Sequence, residues 1–374
     1  MTRPGPDASD NASEYSTSGL ETLGFGMDRQ ISNFVRAAAA LMAGLSCQAV
    51  LADQAIRGAG ATFPAPVYAA WSAEYQKSSG IRVDFDAVGS GEGIEQIRRR
   101  LIDFGASDAA LTQQELNAWN LLQFPAVIGG VVPVINIRGI KPGQLKLSGA
   151  VLAGIYQGRI RKWNDASIGA LNPTLALPNV NVTVVHRSDP SGTTLLWTDY
   201  LSRSGSPDAG IEVALAPRWP VGVGGKGNEG VATFVQRTRF AIGYVEYIYA
   251  RSHHLSDVAL RNRSGTFVHA GRDTFAAAAL AALGSGSNPM QQLATDLPGP
   301  ESWPITGASF ILIPRTPDSG SKTHEVLRFF DWALHHGGPI AHSLEYASLP
   351  RPWIDQLPPL WQTVHDSTGQ SLWP

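Results

Sequence analysis

Three short segments place a hydroxyl or small residue where a strand should hand over to a helix: Ala61-Thr62-Phe63-Pro64, Gly89-Ser90-Gly91 and Ser191-Gly192-Thr193-Thr194. At such a junction the first backbone N–H groups of the helix lack intrahelical partners, the positive end of the helix dipole faces outward, and a Ser or Thr hydroxyl adds a further donor. The chemistry this favours is recognition of an anion. The same hydroxyls could instead cap their own helices, and on sequence alone that alternative stays open for Thr62, Ser90 and Ser191. Arg187, in Arg187-Ser188-Asp189-Pro190-Ser191-Gly192-Thr193, strengthens the anion reading because a guanidinium offers two parallel donors to an oxyanion. Asp189 is placed either to hold that guanidinium or to form an ordinary surface pair worth less than about 1 kcal/mol.

Other patterns fail on their own terms. Gly224-Gly225-Lys226-Gly227-Asn228-Glu229-Gly230 has the look of a phosphate loop, yet no Ser or Thr follows the Gly-Lys and no spaced upstream Gly completes a Walker sequence, so it reads as a turn. Ser90 lacks the flanking glycines of a nucleophile elbow, and Gly105-Ala106-Ser107-Asp108-Ala109 only approaches that pattern. His253-His254 and His335-His336 have no companion at metal-ligand spacing and read as exposed turn or helix histidines, and His186 has no nucleophile to serve. No catalytic residue, metal or cofactor is therefore expected.

The elements that must position these groups alternate. Ile56 to Gly60 leads into a helix predicted from about Pro64 to Gln76, then a strand at Val83 to Val88 and a helix from Gly91 to Leu101, which is βαβα order and implies a largely parallel sheet with ligands beyond the carboxyl ends of its strands. The apolar run Phe124 to Ile137 is long for one strand and contains Gly129-Gly130, so it reads as a crossover with a bend. Further on come a strand at Val182 to His186, a helix from Gly192 to Leu201, a strand at Ala241 to Tyr249 and an Ala-rich helix around 276–282. A second crossover is predicted at Ser302 to Ile313, then a helix from Thr323 to His335 and a Trp- and Pro-rich tail. Two crossovers imply a hinge and a cleft that closes on a ligand.

The 374 residues, with 29 basic and 31 acidic side chains, carry a formal charge of −2, which argues against a nucleic-acid partner. Arg29 and Arg36 precede the apolar run Ala37 to Leu45, and Val50-Leu51-Ala52 follows, the layout of a secretory signal cleaved after Ala52. Translation is expected to begin at Met27. Lipidation at Cys47 is disfavoured by Gly44, which stands where a lipoprotein signal usually has an aliphatic residue. Without residues 1–52 the chain keeps 26 side chains of each sign and, since Cys47 is the single cysteine, has no thiol. An exported protein of this kind must be stable on core packing alone.

The segments Gly-Ala-Gly-Ala-Thr-Phe-Pro (58–64), Asp-Phe-Gly-Ala-Ser-Asp (103–108), Gln-Phe-Pro-Ala-Val-Ile-Gly-Gly-Val-Val (123–132), Arg187 through Thr193, Gly-Gly-Lys-Gly-Asn (224–228), Ile-Gly-Tyr-Val-Glu-Tyr (242–247), Trp-Pro-Ile-Thr (303–306) and Phe-Phe-Asp-Trp-Ala (329–333) together resemble the periplasmic phosphate-binding proteins of bacterial ABC-type phosphate transporters. The resemblance runs from about Gly58 to the C-terminus. It implies the two-lobed α/β periplasmic binding fold, type II-like, with two mixed sheets flanked by helices. Residues 53–128 and 305–374 would form one lobe and 129–304 the other. It further implies phosphate contacts from Thr62, Phe63 (through its backbone), Ser90, Asp108, Arg187, Ser191, Gly192 and Thr193, with Asp189 orienting Arg187. A carboxylate such as Asp108 repels an anion unless the ligand offers a proton. Hydrogen phosphate has one at neutral pH and sulfate has none, so Asp108 is expected to set the selectivity. Glu92, at a place where the family has small residues, is expected to point away from the cleft. The implied protein is a periplasmic monomer that binds without catalysis and serves a permease with ATPase subunits. The alternative is an exported phosphatase or phosphotransferase using the same anion site, with Asp108 or Ser90 as nucleophile and Arg187 as clamp.

Overall fold

Strand and helix alternate from the start of the described chain, which in this computed structural model comprises residues 55–205, 210–284 and 295–374. The expected leader, with Met27, Cys47 and Ala52, lies outside the described residues. β1 (Ile56–Gly60), α1 (Ala65–Ser79), β2 (Val83–Asp86), α2 (Ser90–Arg98) and β3 (Phe104–Ser107) follow the predicted order, and β1 pairs in parallel with both β2 and β3. Then come α3 (Gln113–Ala118), β4 (Leu121–Ile135), β5 (Lys146–Leu147), α4 (Gly149–Tyr156), α5 (Ala166–Leu171), β6 (Thr183–Arg187), α6 (Gly192–Ser204), β7 (Val223–Gly225), α7 (Gly227–Arg237), β8 (Ala241–Glu246), α8 (Tyr247–Ser252), β9 (Ser256–Asp257), β10 (Ala259–Arg261), β11 (Phe267–Val268), α9 (Arg272–Gly284) and β12 (Thr306–Pro314). Four helices close the chain: α10 (Gly320–His336), α11 (Gly338–Ser343), α12 (Arg351–Ile354) and α13 (Leu357–Trp361).

The main sheet runs β2-β1-β3-β12-β4-β8-β6-β7, with β9 also on β4, and is mixed: β12 is antiparallel to β3 and β4, and β6 is parallel to β7 and β8. β4 organises it. All of its residues are buried; up to Gly130 it pairs with β12, and from Val131 to Ile135 with β8. The change of partner falls where the sequence suggests a bend, although strand conformation continues through it. Gly129 and Gly130 serve another purpose there, since a Cβ on Gly130 would lie 2.1 Å from the Phe275 ring and one on Gly129 2.8 Å from the Phe63 ring. Glycine lets two aromatic rings lie directly on the strand.

Two local expectations are corrected. Residues 247–249 do not extend the strand; they open α8, because the Glu246 side chain accepts the Ile248 N–H at 2.9 Å and caps a helix. Segment 224–230 is not a free turn but the end of β7 and the start of α7.

α10 packs through Phe329 and Phe330. The Phe330 ring meets Tyr68 of α1, Phe104 of β3 and Phe124 of β4 at 5.3–5.8 Å, so one side chain joins three earlier elements to the C-terminal helix. The Trp-rich tail is packed rather than loose: Trp361 is buried against Phe124 and Trp373. Phe330→Ala should lower stability by about 3–5 kcal/mol, read as a shift in the urea midpoint; a shift worth less than about 1 kcal/mol would show that this aromatic junction is dispensable.

Candidate functional site

The three anticipated strand-to-helix junctions converge. Thr62 and Phe63 follow β1, Ser90 opens α2, Asp108 follows β3, and Ser191, Gly192 and Thr193 start α6; all are buried, as is Arg187 at the end of β6. Contacts join the groups preceding β4 to those following it. The Ser90 hydroxyl accepts from Asp108 N at 3.3 Å and Gly192 N at 3.1 Å, and Gly91 N donates to the Pro190 carbonyl at 3.2 Å. Gly192 is required by this approach, since a Cβ there would lie 2.6 Å from Asp108 Cβ and 2.9 Å from Ala109 N.

Of the three hydroxyls for which a simple capping role stayed open, only Ser191 caps its helix, accepting from Thr194 N at 3.2 Å. α1 begins after Pro64 and α2 after Gly89, neither with a side-chain cap. Thr62 and Ser90 are thus left for other partners.

Arg187 has a side chain only 1% exposed and is gripped by Asp189, with Nε donating to Oδ1 at 2.9 Å and a second guanidinium nitrogen to Oδ2. Its remaining nitrogen donates to Thr193 Oγ1 at 3.3 Å. Burial pushes the Asp189 carboxyl up, but the guanidinium and the Gly227 N–H, 2.9 Å from Oδ1, outweigh it and hold the group below its usual range. Asp108 is the contrary case. Burial pushes it up to about 7, with the Ser309 hydroxyl, Arg187 and the Ser90 hydroxyl offsetting part of the rise, and its Oδ1 has no hydrogen-bond partner in the protein. Glu92 is exposed and accepts from Gln96 at 2.8 Å on its own helix, consistent with the outward orientation expected of it.

Sequence reasoning missed Asn228, Glu246, Tyr249 and Tyr346. Asn228, dismissed with the glycine-rich turn, is fully buried and donates to Thr62 Oγ1 from both N (3.2 Å) and Nδ2 (2.8 Å). Tyr249 holds the Thr62 carbonyl at 2.7 Å and Tyr346 the Phe63 carbonyl at 2.6 Å, fixing the first loop from behind. Both motifs containing Asn228 and Glu246 stood in the sequence, but nothing there placed Asn228 beside Thr62 or Glu246 beside Asn228.

Comparison with known proteins bears on the family and the fold. Residues 36–334 match the PBP superfamily domain. The chain is 46% identical over 309 residues to the phosphate-binding protein PstS of Haemophilus influenzae, covering 82% of this chain and 92% of that protein. It is 45% identical to PstS of Pasteurella multocida, covering 86% of this chain and 94% of the relative. Among solved structures, a phosphate ABC transporter substrate-binding protein with bound phosphate from Clostridium perfringens superposes with a TM-score of 0.58 at 17% identity, covering 79% of this chain and all of the other. That likeness concerns the fold.

Glu246 yields a test of the site's foundation. Its Oε2 lies 3.2 Å from the Tyr346 hydroxyl, whose single proton already goes to Phe63. The contact is satisfied when Glu246 itself carries a proton, and burial holds this carboxyl well above its usual range, with the Asp108 charge adding to the rise. A carboxyl raised in the folded state favours folding at low pH and loses stability as pH climbs above the unfolded-state value towards the folded one. Glu246→Gln mimics the neutral acid, so in phosphate-free urea titrations from pH 5 to 8 the variant should lose less stability with rising pH than the parent. Equal slopes would mean that Glu246 is ionised throughout.

Proposed function

Because the chain belongs to the family of PstS phosphate-binding proteins within the PBP superfamily, we propose that it captures inorganic phosphate as hydrogen phosphate and delivers it to the permease and ATPase subunits of an ABC importer. The observation that carries the ligand assignment is one unpaired buried acceptor, Asp108 Oδ1, among groups that donate: Arg187 and the hydroxyls of Thr62, Ser90 and Thr193. Hydrogen phosphate complements that arrangement, with bare oxygens for the donors and a proton for Asp108. Sulfate would leave the carboxylate facing an oxygen, and a site built around a buried hydrogen bond can reject a ligand lacking the matching group by as much as ~10⁴–10⁵. Thr62, the Phe63 N–H, Ser90, Asp108, Arg187, Ser191, Gly192 and Thr193 form the ligand set in this reading, with Asp189 steering Arg187.

Residues 53–128 and 305–374 make one lobe and 129–304 the other. The exchange of partners along β4 at Gly130 and Val131, beside the start of β12, supports a hinge there. The protein works in the periplasm as a monomer and releases its ligand unchanged.

Calorimetry with phosphate, arsenate, sulfate, molybdate and a phosphate ester tests the reading. Phosphate and arsenate should bind, and Asp108→Ala should reduce the preference for phosphate over sulfate by at least about 100-fold. Binding of sulfate but not phosphate by the parent would overturn the assignment, an unchanged preference in Asp108→Ala would remove the role of the carboxylate, and turnover of the ester would favour the phosphatase alternative.

A further inference from the structure

Hydroxyl groups can donate or accept, so a cage of Ser and Thr has no fixed polarity unless its surroundings impose one. Here the surroundings do. Asn228 Oδ1 accepts from Glu246 N at 2.9 Å, and since a backbone N–H can only donate, the amide orientation is settled: Nδ2 faces the opposite way. It donates to Thr62 Oγ1 at 2.8 Å and, at the long distance of 3.5 Å, to Thr193 Oγ1. Thr62 Oγ1 also receives Asn228 N, and Thr193 Oγ1 also receives Arg187 Nη1. Each oxygen thereby accepts two N–H donors, which occupies both lone pairs and leaves only its proton to offer.

We propose that Asn228 is a positioning residue that fixes ligand specificity by relaying donor polarity from the Glu246 N–H, through its own amide, to the hydroxyls of Thr62 and Thr193. The relay spans both sides of the site, because Thr62 precedes β4 while Asn228, Thr193 and Glu246 follow it. Each bond in the series polarises the next. The hydroxyl positions therefore take only bare ligand oxygens, and the ligand's one protonated oxygen is left to Asp108. Neighbouring glycine makes the placement possible: Gly227 adopts φ 67°, and a Cβ on it would press on Thr62 Cγ2 at 3.2 Å.

This inference rests on the phosphate reading and is separable from it by a mutant cycle. Phosphate affinity is measured by calorimetry for Asn228→Ala in the parent, in a Thr62→Val/Thr193→Val background, and in a Thr62→Ser/Thr193→Ser background that keeps the hydroxyls. Asn228→Ala should weaken binding about tenfold in the parent and serine backgrounds, and less than about twofold in the valine background. Equal losses in all three would overturn the relay and leave Asn228 a general support. If Asn228→Ala does not fold, Asn228→Leu, of similar volume and without polar atoms, replaces it in the same cycle. A parent that binds sulfate or molybdate instead of phosphate would refute the phosphate reading alone, and the cycle run on the anion that does bind would still decide the relay; a parent that binds no oxyanion would overturn both.

Discussion

The pairing of buried Arg187 with half-buried Asp189 is the contact on which the rest of the site depends. Asp189 uses both carboxylate oxygens on the guanidinium and still accepts the Gly227 N–H, which fixes where α7 begins and hence where Asn228 stands. The same carboxylate fills the space beside Gly89, where a Cβ would lie 2.6 Å from Oδ2, so α2 and Ser90 are seated against it. Arg187 in turn reaches Thr193 at the start of α6. One ion pair thus registers three helix N-termini. Breaking such a pair would leave an uncompensated buried charge, which makes it a rigid reference point whatever its net contribution to stability.

The proposed anion site needs no basic excess in the chain, because Arg187 is already paired with Asp189 and dipoles rather than net charge would hold the ligand. The arginine charge is largely spent within the protein, and Asp108 adds negative rather than positive character. What remains for an anion is a set of dipoles, hydroxyl and backbone, held in place and shielded from water. In that environment a fixed N–H or O–H interacts more strongly than it would in solvent, and its direction matters as much as its presence. The aromatic packing behind the site serves this end: Tyr346 and Tyr249 clamp the carbonyls of Phe63 and Thr62, and Gly129 admits the Phe63 ring against β4.

Much of this was legible in the amino-acid order because local rules govern it. The βαβ opening, the long apolar crossover and the serine- and threonine-bearing junctions follow from periodicity and helix-end chemistry, and Asp189 lies too close to Arg187 in the chain for their pairing to be missed. Where prediction failed, a distant contact had won. Residues 224–230 carry every mark of a turn, yet Asn228 within them is drawn into the core by Thr62 and Glu246. Tyr247 to Tyr249 continue an apolar, aromatic run suited to a strand, yet the Glu246 side chain turns back to cap a helix there.

The sequence by itself determined which groups could bind an anion and which elements would carry them, since those properties reside in single residues and their near neighbours. Only the tertiary structure decided the polarity of the site. Whether Thr62 and Thr193 donate or accept depends on N–H groups from α7 and β6, and whether Glu246 keeps its proton depends on how completely the folded chain excludes water from it. Hydrogen-bond direction and carboxyl ionisation are properties of an environment, and that environment is assembled from segments more than 100 residues apart in the chain.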